Sequence, residues 1–135
     1  MLQPELEIDE CWSLLEEQTF GRLTACTATG ADIFPINFTV HERAIYFRSA
    51  PRSKLVDLTR RPLVAFEVDG RGPGTRWSVV IKGEAQRLNS DAEIEASGVL
   101  ALHTATPVAK LNYVRIMPSA VTGHRFGLLE VLSGP

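Results

Sequence analysis

A small antiparallel β-barrel of mixed α+β class, with short helices at its ends, is the fold this sequence predicts. Three observations carry that prediction. About seven short segments either alternate apolar with polar residues or run nearly continuously apolar, and turn residues separate them mostly in hairpin order. Three short stretches of helical character lie at the start, the middle and before the last strands, so helices sit at the ends of a sheet and not between parallel strands. The third is size: 135 residues, 44% of them hydrophobic, suit one domain with a real core, and no repeat, linker or low-complexity tract divides the chain.

Residues 1–8 read as a loosely held tail, and residues 127–135 as a second one. Asp9 is a good helix cap, and Cys11, Leu14, Leu15 and Gln18 follow helical spacing until Phe20-Gly21. Gly21 to Thr27 alternates as a half-buried strand, and Ala28 to Asp32 has turn chemistry. Ile33 to Val40 resumes the alternation; Pro35 cannot donate to a ladder and belongs at an edge or bulge. His41-Glu42-Arg43 is the next turn. Leu63 to Asp69 is nearly continuously apolar, which predicts a strand buried on both faces, followed by a mobile glycine loop over residues 70–74. Arg76 to Leu88 is a long strand in which Gly83 marks a bulge. Ser90-Asp91-Ala92-Glu93 is a capping box opening a helix to about Leu102. Leu111 to Met117 and Ala120 to Phe126 predict two further strands separated by Pro118-Ser119.

The organising stretch is Ala44 to Asp69. In Ile45-Tyr46-Phe47-Arg48 the side chains alternate, so Ile45 and Phe47 share one face while Tyr46 and Arg48 share the other. After Ala50-Pro51, Ser53 can cap a helix over residues 54–59, with Leu55 and Leu58 facing inward. Arg48, Ser49, Arg52, Ser53 and Lys54 thus cluster where a strand runs into a helix N-terminus, whose free N–H groups and partial positive charge suit a phosphate. The residues alone leave open whether the arginines are merely solvated and Ser53 merely a cap.

Composition excludes several functions. Fourteen basic against 16 acidic residues give a formal charge of -2, so no whole-molecule field attracts nucleic acid or an acidic membrane. No long apolar run or leader pattern appears, which predicts a soluble cytoplasmic protein without membrane association. Cys11 and Cys26 show neither metal spacing nor a disulfide framework and are expected to be reduced and buried. His41, His103 and His124 lack paired-ligand spacing, so no metal site is expected. No serine lies in a nucleophile elbow, and Glu67 and Asp69 share a face where Arg partners are expected. With no self-sufficient catalytic constellation, an enzyme here needs an organic cofactor for its chemistry, and the catalytic residues are not readable.

In the order Gly21-Arg22-Leu23, Pro35-Ile36-Asn37-Phe38, Ile45-Tyr46-Phe47-Arg48-Ser49, Ser53-Lys54-Leu55, Val64 to Asp69 and Trp77-Ser78-Val79, the chain resembles the pyridoxamine 5'-phosphate oxidase-like family of flavin-binding split barrels. The resemblance runs from Glu10 to Arg125. It implies a split barrel, a homodimer, and a groove between the subunits that binds FMN or, in some branches, a deazaflavin coenzyme. By position, Arg48, Ser49, Ser53 and Lys54 would hold the cofactor phosphate. Asn37 and Phe38 would lie near the ring system, and Trp77 and Ser78 would line the groove. Arg125, in Thr122-Gly123-His124-Arg125, would approach it from the partner subunit. The chain departs from many relatives in having Ala50-Pro51-Arg52 where they carry a glycine-containing turn. The implied function is an FMN-binding oxidoreductase passing hydride or electrons to or from a small organic substrate. The alternatives are a deazaflavin-dependent reductase and a non-catalytic flavin-binding or storage module. FMN is the expected cofactor, because the cluster from Arg48 to Lys54 suits one compact phosphate.

Overall fold

The structure is a computed structural model that describes residues 5–49, 58, 60–102 and 112–127. The chain runs α1 (Ile8–Glu16), β1 (Phe20–Thr27), β2 (Gly30–Asn37), β3 (Thr39–His41), β4 (Ala44–Ser49), β5 (Leu63–Gly72), β6 (Thr75–Arg87), α2 (Asp91–Ser97), a 3-10 turn (Val99–Ala101) and β7 (Asn112–Gly127). The strands form one seven-stranded sheet in the order β2-β1-β5-β6-β7-β4-β3, antiparallel throughout.

That order forces the sheet to curl. Strands β2 and β3 stand at opposite edges, yet a single residue, Phe38, joins them. Its N–H donates to the Thr19 carbonyl at 3.0 Å, and its side chain, 0% exposed, meets Phe66 edge-on at 4.9 Å. The seam of the half-barrel is therefore closed around a core aromatic. The inner face is Leu23, Ala25, Val64, Phe66, Val68, Val79 and Ile81, and α1 adds Cys11, Trp12 and Leu15. Alternation places Ile45 and Phe47 in this core, as expected; Ala44 and Tyr46 face the other way, under Leu88 and Val99 beside α2.

Several expectations are corrected. Strand β5 is buried on one face only: Val64, Phe66 and Val68 are in the core, but Leu63 is 72% exposed and Asp69 is exposed. An apolar run reads the same whether its outer face is covered or bare. Residues 70–74 are not a loop: β5 continues to Gly72 and turns to β6 through Pro73-Gly74, with Gly74 at φ +65°. Residues 112–127 form one strand; Pro118 sits opposite Gly83 at the register shift, and Ser119, the extra residue, donates to the Lys82 carbonyl at 3.1 Å. A bulge is where a strand tolerates a proline. Ser90 does cap α2, accepting from the Glu93 N–H at 3.3 Å, but Gly98 at φ +80° ends the helix well short of Leu102. Glu5 bridges His124, and the Leu6 N–H bonds the Gly123 carbonyl at 2.9 Å, so this part of the expected tail is tied down. Cys26 is exposed, not buried. Pro35 lies on the edge strand β2, as its chemistry requires. Of the helix expected over residues 54–59, only Leu58 is described, and it is buried in the core. Apart from Leu58, itself in 3-10 conformation, the two α-helices and the 3-10 turn are the helical elements of the described residues, and neither α-helix is long and apolar enough to cross a membrane.

Candidate functional site

The end of β4 presents Arg48 on the face that α2 and the 3-10 turn cover. Its cross-strand partner on β7 is Tyr113, and the same face carries Tyr46 opposite Arg115. Arg115 holds the cover in place: it ion-pairs with Glu93 of α2 and donates from Nε and Nη2 to Gln86 Oε1 at 3.1 and 2.8 Å. Ser97 bonds the Ile94 carbonyl at 2.7 Å and accepts from the Val99 N–H at 3.2 Å, tightening the turn that brings Leu100 over β4. Arg48 Nη1 donates to the Leu100 carbonyl at 3.3 Å. Its Nε and Nη2 are buried and meet no partner among the described residues. A half-buried guanidinium with two buried, unmet donors costs free energy unless an acceptor arrives. An anion supplies that acceptor, and a phosphate oxygen pair matches the guanidinium edge.

Ser49, the neighbouring residue, is buried and pairs with Asn112. Ser53 and Lys54, the other two expected phosphate ligands, lie outside the described residues, as does Arg52. Asn37 is exposed at the end of β2 opposite Phe20, whereas Phe38 is wholly buried in the core. Trp77 and Ser78 point to opposite faces of β6. Trp77 is buried above Gly70, where an added Cβ would come within 2.5 Å of the indole. Ser78 faces outward and donates to Glu67 Oε2 at 3.1 Å. Arg125 lies opposite Trp77 and ion-pairs with Glu10 of α1 at 2.9 Å. Thus Arg48 and Ser49 are brought together, as are Trp77 and Arg125, at opposite ends of β7.

The expected Arg partner of Glu67 and Asp69 is Arg22, whose Nη1 reaches them at 3.0 and 3.4 Å. Tyr113, Leu100 and Arg115 were not singled out in the sequence; Tyr113 and Arg115 alternate with buried Val114 and Ile116, the signal that placed them on Arg48's face. Burial pushes the Cys11 thiol up from its ordinary range, the Glu10 carboxylate adds to the rise, and a backbone hydrogen bond opposes it. This is the setting of an inert structural thiol. Among the described residues, no group of three His, Cys, Asp or Glu side chains is arranged to hold a metal ion.

Comparison with known proteins places this architecture. A solved FAD-binding protein from Mycobacterium smegmatis is 34% identical, superimposes with a TM-score of 0.80, and is matched over 93% of this chain and 99% of its own. A conserved protein of unknown function from Corynebacterium diphtheriae is 32% identical with a TM-score of 0.73, over 93% and 98% of the two chains. An uncharacterized protein of Mycobacterium tuberculosis is 34% identical over 87 residues, 64% of this chain and 79% of that one. The profile of the pyridoxamine 5'-phosphate oxidase family matches residues 7–125, so a curled seven-stranded sheet, the strand order and the sequence agree: the chain belongs to the pyridoxamine 5'-phosphate oxidase family.

Proposed function

We propose that this chain binds a flavin through its ribityl phosphate at Arg48 and serves as a flavin-dependent oxidoreductase acting on a small organic substrate. The observation that carries the reading is the pair of buried, unmet donors on Arg48, Nε and Nη2, beside buried Ser49. Arg48 and Ser49, with Ser53 and Lys54, would hold the phosphate. When bound, the flavin ring supplies hydride and single-electron transfer, chemistry that protein side chains lack. The residues around Arg48 bind and orient: Leu100 fixes one nitrogen of the guanidinium, and the Arg115–Glu93 pair holds the segment that carries Leu100. FMN is the minimal ligand such a pocket needs. FAD is the second reading, favoured by the M. smegmatis relative that is named for binding it, and it carries the same ribityl phosphate.

A homodimer belongs to this proposal. The outward face of β2, β1, β5 and β6 carries Ile33 at 67% exposure and Leu63 at 72%, with Phe20, Thr24 and Ala65 on the same side. That face, apolar at Ile33 and Leu63 and charged where Arg22 pairs with Glu67 and Asp69, is a surface that a second copy would cover in a two-fold interface.

The test is the absorption spectrum of the purified protein, followed by titration of apo-protein with FMN, FAD, riboflavin and a deazaflavin coenzyme. FMN is expected to bind at least tenfold more tightly than riboflavin or the deazaflavin. Turnover with a nicotinamide donor and an acceptor separates an enzyme from a flavin-storage module. Equal affinity for FMN and riboflavin would remove Arg48 from the phosphate role.

A further inference from the structure

The non-glycine residues with positive φ among those described are neighbours, Glu42 and Arg43. His41 pairs with Ala44 across β3 and β4, so these two alone make the hairpin loop, at φ +49° and +55°. Loops of this form favour Asn-Gly, because a larger side chain in the left-handed region crowds its own backbone. The contact that the strained turn secures is an ion pair from Arg43 Nη2 to Asp9 Oδ1 of α1. Its side chains are 53% and 82% exposed, and an ion pair so open to water contributes too little to offset two left-handed residues. Glu42 turns to His41, at 3.8 Å, and takes no part in the pair.

Arg43 also stands at a depression of about 370 Å³ between α1 and the stretch of β7 beyond Ile116, where β4 no longer pairs with that strand. Most of its wall is apolar: Ile8 and Trp12, one turn apart on α1, face Met117, Pro118 and Val121 on β7. Trp12 is buried and Val121 packs against the core, so the floor is fixed, whereas Ile8 and Met117 are left half in water. The lining includes no residue of β2, β1, β5 or β6, whose outward face would meet a second copy. An arginine and an aspartate side by side over an apolar hollow are complementary to a zwitterion that carries both charges on one carbon, the carboxylate toward Arg43 and the ammonium toward Asp9.

We propose that this depression is a binding site for a free α-amino acid with an aromatic side chain. Its ring enters the hollow against Trp12 and the thioether of Met117, contacts that suit an aromatic edge and a sulfur. Binding exchanges one exposed ion pair for two and takes the apolar surface of Ile8 and Met117 out of water. A peptide does not meet the same recognition, because its ammonium and carboxylate lie at opposite ends of the chain. The inference does not depend on the flavin reading.

Calorimetric titration of the full-length protein at low ionic strength tests it. The probe is L-phenylalanine, set beside hydrocinnamate, which lacks the ammonium, and phenethylamine, which lacks the carboxylate. Phenylalanine should bind at millimolar concentration, about fivefold or more tightly than either analogue. Glu42→Asn keeps both charges and eases the turn, so it should leave that affinity unchanged. E42N/R43G removes the cation and suits a left-handed loop, so it should melt no lower than the wild type while phenylalanine affinity falls about fivefold or more. Absence of phenylalanine binding, an analogue that binds as tightly, or an unchanged affinity in E42N/R43G would overturn the proposal. Loss of affinity in E42N would overturn it too, by placing the determinant in the turn's backbone and not in its charges. So would a lower melting temperature in E42N/R43G, which would show that the Arg43–Asp9 pair serves to hold α1 in place.

Discussion

Arg48 donates from Nη1 to the Leu100 carbonyl at 3.3 Å and keeps two further donors buried without partners among the described residues. The relationship ties β4 to the 3-10 turn but leaves the guanidinium under-satisfied. Removing a buried donor that has no partner is often neutral or stabilising, whereas supplying it with an anion is favourable. Arg48→Met keeps the stem packed and deletes the unmet donors, so the apo-protein should gain about 1 kcal/mol of stability. Chemical denaturation of flavin-free protein measures this, and a loss of comparable size would show that the Leu100 bond outweighs the two orphans.

The same residue should discriminate ligands. In Arg48→Ala, FMN affinity is expected to fall about ten- to hundredfold, the equivalent of about 1.5–3 kcal/mol for a charge-assisted contact. Riboflavin, which lacks the phosphate, should lose much less. Fluorescence titration with both ligands decides it: equal losses would mean that the substitution disturbs the fold and not a phosphate contact.

Leu63→Glu places a carboxylate at the start of β5 on the outer sheet face, opposite Glu84 and close to Thr24, Ala65 and Lys82 around a shallow depression of about 390 Å³. If that face joins two copies, two-fold symmetry puts the new charge into the interface twice. Sedimentation at micromolar concentration should then report a dimer for the wild type and a monomer for the variant. A wild-type monomer, or a variant dimer of unchanged strength, would move the interface elsewhere.

Gly83→Ala tests the bulge. A Cβ there would lie 2.2 Å from the Met117 carbonyl oxygen, a backbone atom on the paired strand that cannot swing aside. The expected cost is about 1–3 kcal/mol or more, from forced separation of β6 and β7. A thermal midpoint within a degree of wild type would show that the two strands part easily.

How much of this was legible depended on what each residue had to satisfy locally. Ser90 caps its helix by accepting from the Glu93 N–H three residues on, so that signal was local, and Gly83 marked its bulge because only a small residue permits that approach. The faces of β4 followed from alternation. Strand β5 misled because Leu63 and Val64 look alike as letters, and only the curl of the sheet decides that one is bare and the other buried. Pro118 appeared to end a strand, yet the bulge opposite Gly83 absorbs it. Of the site, Arg48 and Ser49 could be named in advance. Leu100 could not, because a backbone carbonyl more than fifty residues away has no side-chain signature.

The thiol of Cys11 gives the last prediction. It is 1% exposed and packs against Gly123, where an added Cβ would sit 2.6 Å from Sγ. Burial and the Glu10 carboxylate raise its pKa in the folded protein, so the folded state holds its proton more firmly than the unfolded chain does. Below the unfolded thiol value, about 8.5, both states are protonated and the stabilisation is fully present. As pH rises past that value the unfolded chain releases the proton first, binds fewer protons than the native state, and stability falls. Denaturation midpoints from pH 7 to 10 should therefore decline more steeply for the wild type than for Cys11→Ala, although the variant starts lower because it leaves a cavity. Exposed Cys26 is common to both proteins and cancels. In the native protein Cys11 should react with a disulfide reagent only on unfolding. Parallel pH profiles together with a fast-reacting Cys11 would mean that α1 does not keep Cys11 sealed against the sheet.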